Sequence, residues 1–257
     1  MLKRLKTYSF LSLPYYSLDY LGFHVPAFRR LAKFKLTYYR LYDGTQFIFR
    51  FFTNDRCIID EIFINKAYTP NPTFEIRSGD VVVDLGAHIG VFTVFAARHA
   101  RGVKVYCYEP LPENFELLKA NVRLNKLGDR VKMFQLAVAD KRSFSPLYIG
   151  DTGLASLNLQ SGKHVVAKVI RLEDVAYNNN LDRIDFLKVD VEGAEYDIFR
   201  NVDKDVLRSV RRIAMECHSL RNAVNLKNLL RNSGFTVSIR ESGHSSLSYI
   251  YAVRSKT

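Results

Sequence analysis

The sequence predicts an α/β fold: a doubly wound seven-stranded sheet with its last strand antiparallel, preceded by an N-terminal helix and β-hairpin extension. Three observations predict it. From residue 79 onward, short apolar runs rich in Val, Ile and Phe alternate with longer runs of helical periodicity. The runs are apolar on successive residues, not on alternate ones, so both faces are covered, as in parallel βαβ units. The last two such runs, "FTVSI" and "LSYIYAV", are joined by only a short loop and so pair antiparallel.

The elements follow in order. Residues 1–34 mix Tyr, Phe, Leu, Lys and Arg and read as a helical extension packed on the core, with a membrane surface or substrate cover as the other option. "LTYYRLYDGTQFIFRFF" is aromatic and β-branched on both sides of Asp43-Gly44, a strong hairpin signal because both turn residues tolerate positive φ. "IIDEIFINKAY" carries apolar residues at helical spacing. Then come strand "DVVVDLG", helix "IGVFTVFAARHA", strand "KVYCYEP", helix "PENFELLKANVRLNKL" and strand "VKMFQLAV". An irregular insertion spans residues 142–175. Strand "IDFLKVD", helix "GAEYDIFRNV", strand "VRRIAMECH" and helix "AVNLKNLLRNSG", capped by Gly234, lead into the final pair. The whole is Rossmann-like, divided into an extension over 1–78 and a main domain over 79–257.

Bulk properties narrow the class. The 257 residues are 47% hydrophobic, enough for one large domain with a small extension. A net charge of +12 attracts phosphate, anionic lipid or acidic sugars without choosing among them. The three cysteines form no CxxC, which argues against a disulfide framework or structural zinc; they read as buried core thiols. "MLKRLK" resembles the start of a leader, but the apolar run after it stops at Pro14, so a cytoplasmic protein is expected, with peripheral membrane contact through 1–34 as an option.

"VVVDLGAHIG" places an acid at a strand end and two glycines just after it. Gly86 allows a tight turn, and Gly90 lets the helix start close to the strand. The spacing is G-x-x-x-G, not the dinucleotide G-x-G-x-x-G. Asp84 repels phosphate and suits a cationic ligand such as an amino acid moiety. Glu109 closes the second strand, 25 positions later, where an acid accepts hydrogen bonds from ribose hydroxyls. A nucleoside without pyrophosphate, joined to a cationic amino acid, describes S-adenosylmethionine (SAM).

With these pieces the chain resembles a class I SAM-dependent methyltransferase, and more narrowly the FkbM family. The residues that carry the resemblance are "VVVDLGAHIGVFT", "YEPLPENFELLKANVRLN", "LAVAD", "FLKVDVEGAEYDIF" and "MECH", spread over roughly residues 40–240. The resemblance implies cofactor binding at Asp84, Gly86 and Gly90, with Glu109 on the ribose and Ala137 and Asp140 flanking the adenine. The family pattern usually has Asn where this chain has His88, which is counted with the same set; Asp190 joins it from the fourth strand. The family is associated with O-methylation, often of sugars or sugar-bearing products.

A second acidic cluster lies at the same sheet edge. Asp190 and Glu192 share a face of their strand, and Glu195 opens the next helix, where an acid also complements the helix dipole. In "MECH", Glu216 and His218 share a face. The candidate catalytic residues are His218, Asp190, Glu192 and Glu216, with His218 the candidate general base. No metal is assigned, although Asp190, Glu216 and His218 offer an alternative as a divalent-ion cluster. The chain lacks the Asn/Asp-Pro-Pro-aromatic turn of base-amine methylation, and no proline precedes Cys217 as in a Pro-Cys nucleophile; both favour an oxygen acceptor. The expected acceptor is a hydroxyl or carboxylate oxygen of a saccharide or glycolipid, in a pocket shaped by the aromatic N-terminal segment and the 142–175 insertion, which the resemblance suggests is a small hairpin with Ser156 facing the site. RNA methylation, supported by the positive charge, stays open, as does a nucleoside-binding module without catalysis.

Overall fold

The computed structural model describes residues 8–12, 35–149, 155–156, 164–242 and 247–254. The central sheet has seven strands: β4 (Val81–Leu85), β5 (Lys104–Tyr108), β6 (Val131–Phe134), β11 (Phe186–Val189), β12 (Arg212–Cys217), β13 (Phe235–Glu241) and β14 (Ser248–Arg254). Their order is β13-β14-β12-β11-β4-β5-β6. β14 alone is antiparallel to its neighbours, inserted between β12 and β13. The order reverses at β4, which places a crevice at the carboxyl ends of β4, β5 and β11.

Successive strand residues serve opposite faces. Val82, Phe186 and Ala214 pack into one apolar cluster with α1 (Asp55–Phe63), α2 (Val91–His99) and α3 (Pro112–Leu124). Val83, Leu187, Ile213 and Met215 pack into another with α4 (Leu172–Asn178), α5 (Glu195–Arg200), α6 (Lys204–Ser209) and α7 (Leu220–Asn232). Every strand of the crevice is therefore covered on both sides, which explains the unbroken apolar runs.

The hairpin of β2 (Leu36–Arg40) and β3 (Gln46–Arg50) forms around Asp43-Gly44, with Gly44 at φ 82°. β1 (Tyr8–Ser12) adds antiparallel to β2. The free edge of β3 is closed by side chains, not by a strand. Asn121 accepts from the Ile48 N–H at 2.7 Å and donates to its carbonyl at 3.0 Å; Asn125, one helical turn on, does the same for Gln46 at 3.0 and 2.7 Å. Two amides spaced i, i+4, Asn121 in α3 and Asn125 at its C-terminal cap, thus imitate a neighbouring strand and satisfy an edge that would otherwise be buried unpaired.

The structure departs from expectation in four places. Residues 8–12 are strand, not helix; the rest of 1–34 lies outside the described residues. "VKMFQLAV" breaks into β6 and β7 (Ala137–Val138), because β7 leaves the main sheet to pair with β10 (His164–Ile170). The insertion is more than a small hairpin: β8 (Ser143–Ile149), β9 (Ala155–Ser156) and β10 complete a four-stranded sheet in the order β7-β10-β8-β9. Ser156 lies in β9, and its side chain falls outside what is described. Finally, Cys57 is exposed, while Cys107 and Cys217 are buried.

Candidate active site

The turn after β4 explains the position of the crevice. Gly86 sits at φ 75°, a conformation natural to glycine, and a Cβ there would lie 1.7 Å from the Asp190 carbonyl oxygen. The Gly86 and Ala87 N–H groups both donate to the Tyr108 carbonyl at 3.0 Å. One turn thereby locks the ends of β4, β5 and β11 together, over a cavity of about 570 Å³, within the usual size of a small-molecule site.

One end of the cavity is apolar, formed by Tyr108, Leu136, Ala137, Val138 and Leu147. Beside it stands Glu109, buried, with Oε1 accepting from the Leu111 N–H at 2.9 Å and the Asn114 amide at 3.2 Å, and Oε2 from the His88 N–H at 2.8 Å. Burial nevertheless pushes its carboxyl up to about 7. An apolar slot beside a fixed carboxyl suits a base and its ribose hydroxyls.

Asp84 and Lys188 face each other across paired β4 and β11. Asp84 is fully buried and does not line the cavity. Its Oδ2 accepts from the Thr93 hydroxyl at 2.6 Å, and Oδ1 pairs with Lys188 Nζ at 3.2 Å. Lys188, also buried, reaches Asp190 at 3.5 Å and donates to the Gly86 carbonyl at 2.6 Å. Burial opposes its charge, but Asp84 and Asp190 outweigh that and hold it protonated. Asp84 thus acts inside the fold, and Lys188 passes its influence to the turn.

His88 lines the cavity at φ 53°. Its Nε2 lies 3.1 Å from Arg50, which is itself buried in a bidentate pair with Asp55 at 2.7 and 2.9 Å. Burial pulls the imidazole down to about 4, so it is neutral at physiological pH. Gly90, at φ 85°, serves packing: a Cβ there would meet Leu118 Cδ1 at 2.5 Å, and it does not line the cavity. Asp140 also lies off the cavity, paired with Arg200 at 2.8 Å.

The other end is acidic. Asp190, Glu192, Glu216 and His218 converge there, joined by Glu61 and Tyr68 from the region before β4. Tyr68 donates to Asp190 at 3.0 Å and lies 3.4 Å from Glu216 Oε2. Tyr249 donates to Glu61 at 2.8 Å. Burial and then Asp190 raise Glu192 to about 7 and Glu216 to about 8. Asp190 is different: burial raises it, but Lys188 and then His218 bring it below the usual carboxylate value.

Asp190, Glu192 and His218 place ligand atoms within 4.8 Å of one another. Both imidazole nitrogens, however, face carboxylates: Nδ1 meets Glu195 at 2.8 Å and Nε2 meets Glu192 at 3.2 Å. The ring and the two carboxylates thus form a linked chain of contacts at the acidic end of the cavity. Sequence reasoning missed Lys188, Tyr68 and Glu61. A lysine inside the apolar strand "FLKVD" was a visible signal; Tyr68 and Glu61 join the site only through the packing of the N-terminal region.

The donor set fits SAM: an apolar slot, a carboxyl for ribose, acids for a cationic amino acid, and no arginine among the described lining residues to bind pyrophosphate. No helix of the described residues is long and apolar enough to cross a membrane. Comparison with known proteins agrees with this chemistry. A family model described as the methyltransferase FkbM domain matches residues 84–237. The 31-O-demethyl-FK506 methyltransferase FkbM of Streptomyces tacrolimicus is 32% identical over 212 residues, covering 69% of this chain and 80% of that protein. Methyltransferase 1 of Beauveria bassiana is 29% identical over 202 residues, covering 70% of this chain and 80% of its own. The AMB antimetabolite synthetase AmbE of Pseudomonas aeruginosa is 28% identical over 230 residues, 72% of this chain but 11% of that larger protein. The family and fold imply SAM as the methyl donor, and the chain belongs to the FkbM methyltransferase family as a SAM-dependent methyltransferase.

Proposed function

We propose that the protein methylates an uncharged hydroxyl oxygen, of saccharide type, and that the cavity holds SAM with its adenine between Leu136, Ala137, Val138 and Leu147. Glu109 accepts from the ribose hydroxyls. Asp190 faces the amino group, and the Gly86 turn lets the backbone approach the amino acid moiety. When bound, SAM supplies a methyl group on a positively charged sulfur. The protein contributes alignment of donor and acceptor, a large part of the barrier for a bimolecular transfer.

One observation carries the choice of acceptor: the reactive end is lined by Asp190, Glu192, Glu216 and Glu61, and the lining cations among the described residues, Lys188 and His218, are already engaged by carboxylates. A carboxylate or phosphate brought here meets the Asp190 carboxylate, with no unengaged cation among the described lining residues. This weighs against the carboxylate acceptor left open by the sequence. It also weighs against RNA ribose flanked by phosphates, although the net charge of +12 attracts anionic partners of any kind to the surface as a whole. Methyl transfer from labelled SAM to neutral methyl glycosides, uronic acids and total RNA tests the reading. Ether formation on the neutral glycosides is the expected result. Methyl esters on the uronic acids, or label in RNA alone, would overturn it. Vesicle co-sedimentation of the full chain tests the membrane role of residues 1–34 separately.

A further inference from the structure

We propose that Tyr68 is a positioning residue of the methyl-donor site: its hydroxyl pins one oxygen of Asp190 so that the other oxygen meets the donor's amino group. The proposal rests on the cofactor placement above. It adds a residue from outside the segment 84–237 that the family model matches.

Tyr68 is built into its place. It follows the turn after α1 and is 2% exposed. Just before it, the Ala67 carbonyl accepts from the Tyr251 hydroxyl of β14 at 2.5 Å. Just after it, the Thr69 N–H donates to the Lys66 carbonyl at 3.0 Å. Phe92 of α2 and Tyr249 of β14 meet the ring edge-on, with centroids 5.5 and 6.1 Å away. Lys188 Nζ lies 5.3 Å from the ring centre. A buried phenol needs a partner for its O–H. Here the partner is Asp190, 122 positions away in sequence and brought up at the end of β11.

The contact is selective by atom. The Tyr68 hydroxyl is 3.0 Å from Asp190 Oδ2, and Lys188 Nζ is 3.5 Å from the same oxygen. Glu216 Oε2 lies 3.4 Å from the hydroxyl, but a phenol has one proton, and the shorter contact takes it. Two donors on Oδ2 fix the plane of the carboxylate. Among the described residues no hydrogen bond ends on Oδ1. The side chain lines the cavity and is 25% exposed, so it is open to a ligand. An ammonium group arriving in the cavity therefore meets an oxygen that is already aimed. A side chain ordered before binding loses no rotamer freedom when the ligand arrives, and that saving appears as affinity.

Tyr68 thus does for Asp190 what a packing residue does not. Its ring fills space, and Phe would fill the same space. Only the O–H holds Oδ2. The region before β4 supplies this donor, so the methyltransferase segment alone does not carry the whole site.

Calorimetry of wild type and Tyr68→Phe, each with S-adenosylhomocysteine and with its deaminated analogue, separates the two roles. Tyr68→Phe should weaken S-adenosylhomocysteine by about 10-fold and the analogue by less than about twofold, because the analogue has no amino group for Asp190 to hold. Equal weakening of both ligands would make Tyr68 a packing residue, and no change in either would remove it from the site; each result overturns the proposal. A crystal structure of wild type with S-adenosylhomocysteine needs no variant. Tyr68 on Oδ2 and the amino nitrogen within hydrogen-bond distance of Oδ1 are expected. An amino nitrogen held by other groups, or Asp190 turned away from Tyr68, would overturn it. Failure of wild type to bind either ligand defeats the proposed function itself, whereas binding that Tyr68→Phe weakens without regard to the amino group defeats this inference alone.

Discussion

Gly86→Ala tests the idea that one close backbone contact assembles the site. Gly86 and Gly79 share nearly the same left-handed backbone, φ 75° and 77°, but their surroundings differ. A Cβ at Gly79 meets nothing within 4 Å, whereas one at Gly86 lies 1.7 Å from the Asp190 oxygen and 2.8 Å from its carbon. Real Cβ contacts do not fall below 3.0 Å, so the turn and the end of β11 must separate by 3.0 − 1.7 = 1.3 Å. That movement strains the Asp190 N–H to Leu85 carbonyl bond, 3.0 Å long, at the junction of β4 and β11. The left-handed backbone alone costs each alanine about 1–2 kcal/mol. Forced separation of a packed contact adds about 1–3 kcal/mol at Gly86. For a chain of this size each kcal/mol lowers Tm by about 2–4 °C. Gly79→Ala should therefore lose about 2–8 °C and keep SAM affinity. Gly86→Ala should lose a further ~2–12 °C on the same scale, and its displaced turn should weaken SAM by at least about 10-fold. Differential scanning calorimetry and SAM titration on both variants decide it. Equal losses in the two, or unchanged SAM binding by Gly86→Ala, would refute the reasoning.

Lys188→Met removes the cation between two buried or half-buried carboxylates; it should destabilise by about 3–5 kcal/mol in urea unfolding, and a loss under about 1 kcal/mol would deny the ion cluster a structural role. Glu109 is raised to about 7, and ribose hydroxyls bind its ionised form. SAM affinity should thus be full above pH 7 and fall as pH drops, by up to about 10-fold per unit, with Glu109→Gln weaker and less steep between pH 6 and 8. Asn121→Ala strips the partners from both Ile48 backbone groups and from the Ile89 carbonyl, bonded at 2.8 Å. It should cost about 2–4 kcal/mol and speed amide exchange at Ile48; wild-type exchange there would contradict the edge-closing role.

The sheet was legible because its central strands are apolar on consecutive residues, a pattern that two-sided burial produces. "VVVDLGAHIG" and the E-P after β5 located the crevice for the same reason: Gly86 and Glu109 answer to local backbone demands. The split of "VKMFQLAV" was not legible, since Ala137 and Val138 are apolar in either sheet and only the partner strand β10 decides. Asp84 was read as ligand-facing from its position at a strand end, and Asp140 from the family resemblance. Their actual partners, Lys188 at 3.2 Å and Arg200 at 2.8 Å, are 104 and 60 positions away and invisible to local patterns. Cys57 looked buried because its neighbours are apolar, yet α1 turns it outward at the cavity mouth. His218 was singled out for its type and position, while the two carboxylates that meet its nitrogens emerge only when Glu192 and Glu195 fold back across it.

The most direct measurement is calorimetric titration of the purified protein with SAM, alongside NADH and ATP. The account predicts saturable one-to-one binding of SAM, weakened in Glu109→Gln, and none of the phosphorylated nucleotides at comparable concentration. Binding of NADH or ATP in place of SAM, or SAM binding unaffected by Glu109→Gln, would contradict it.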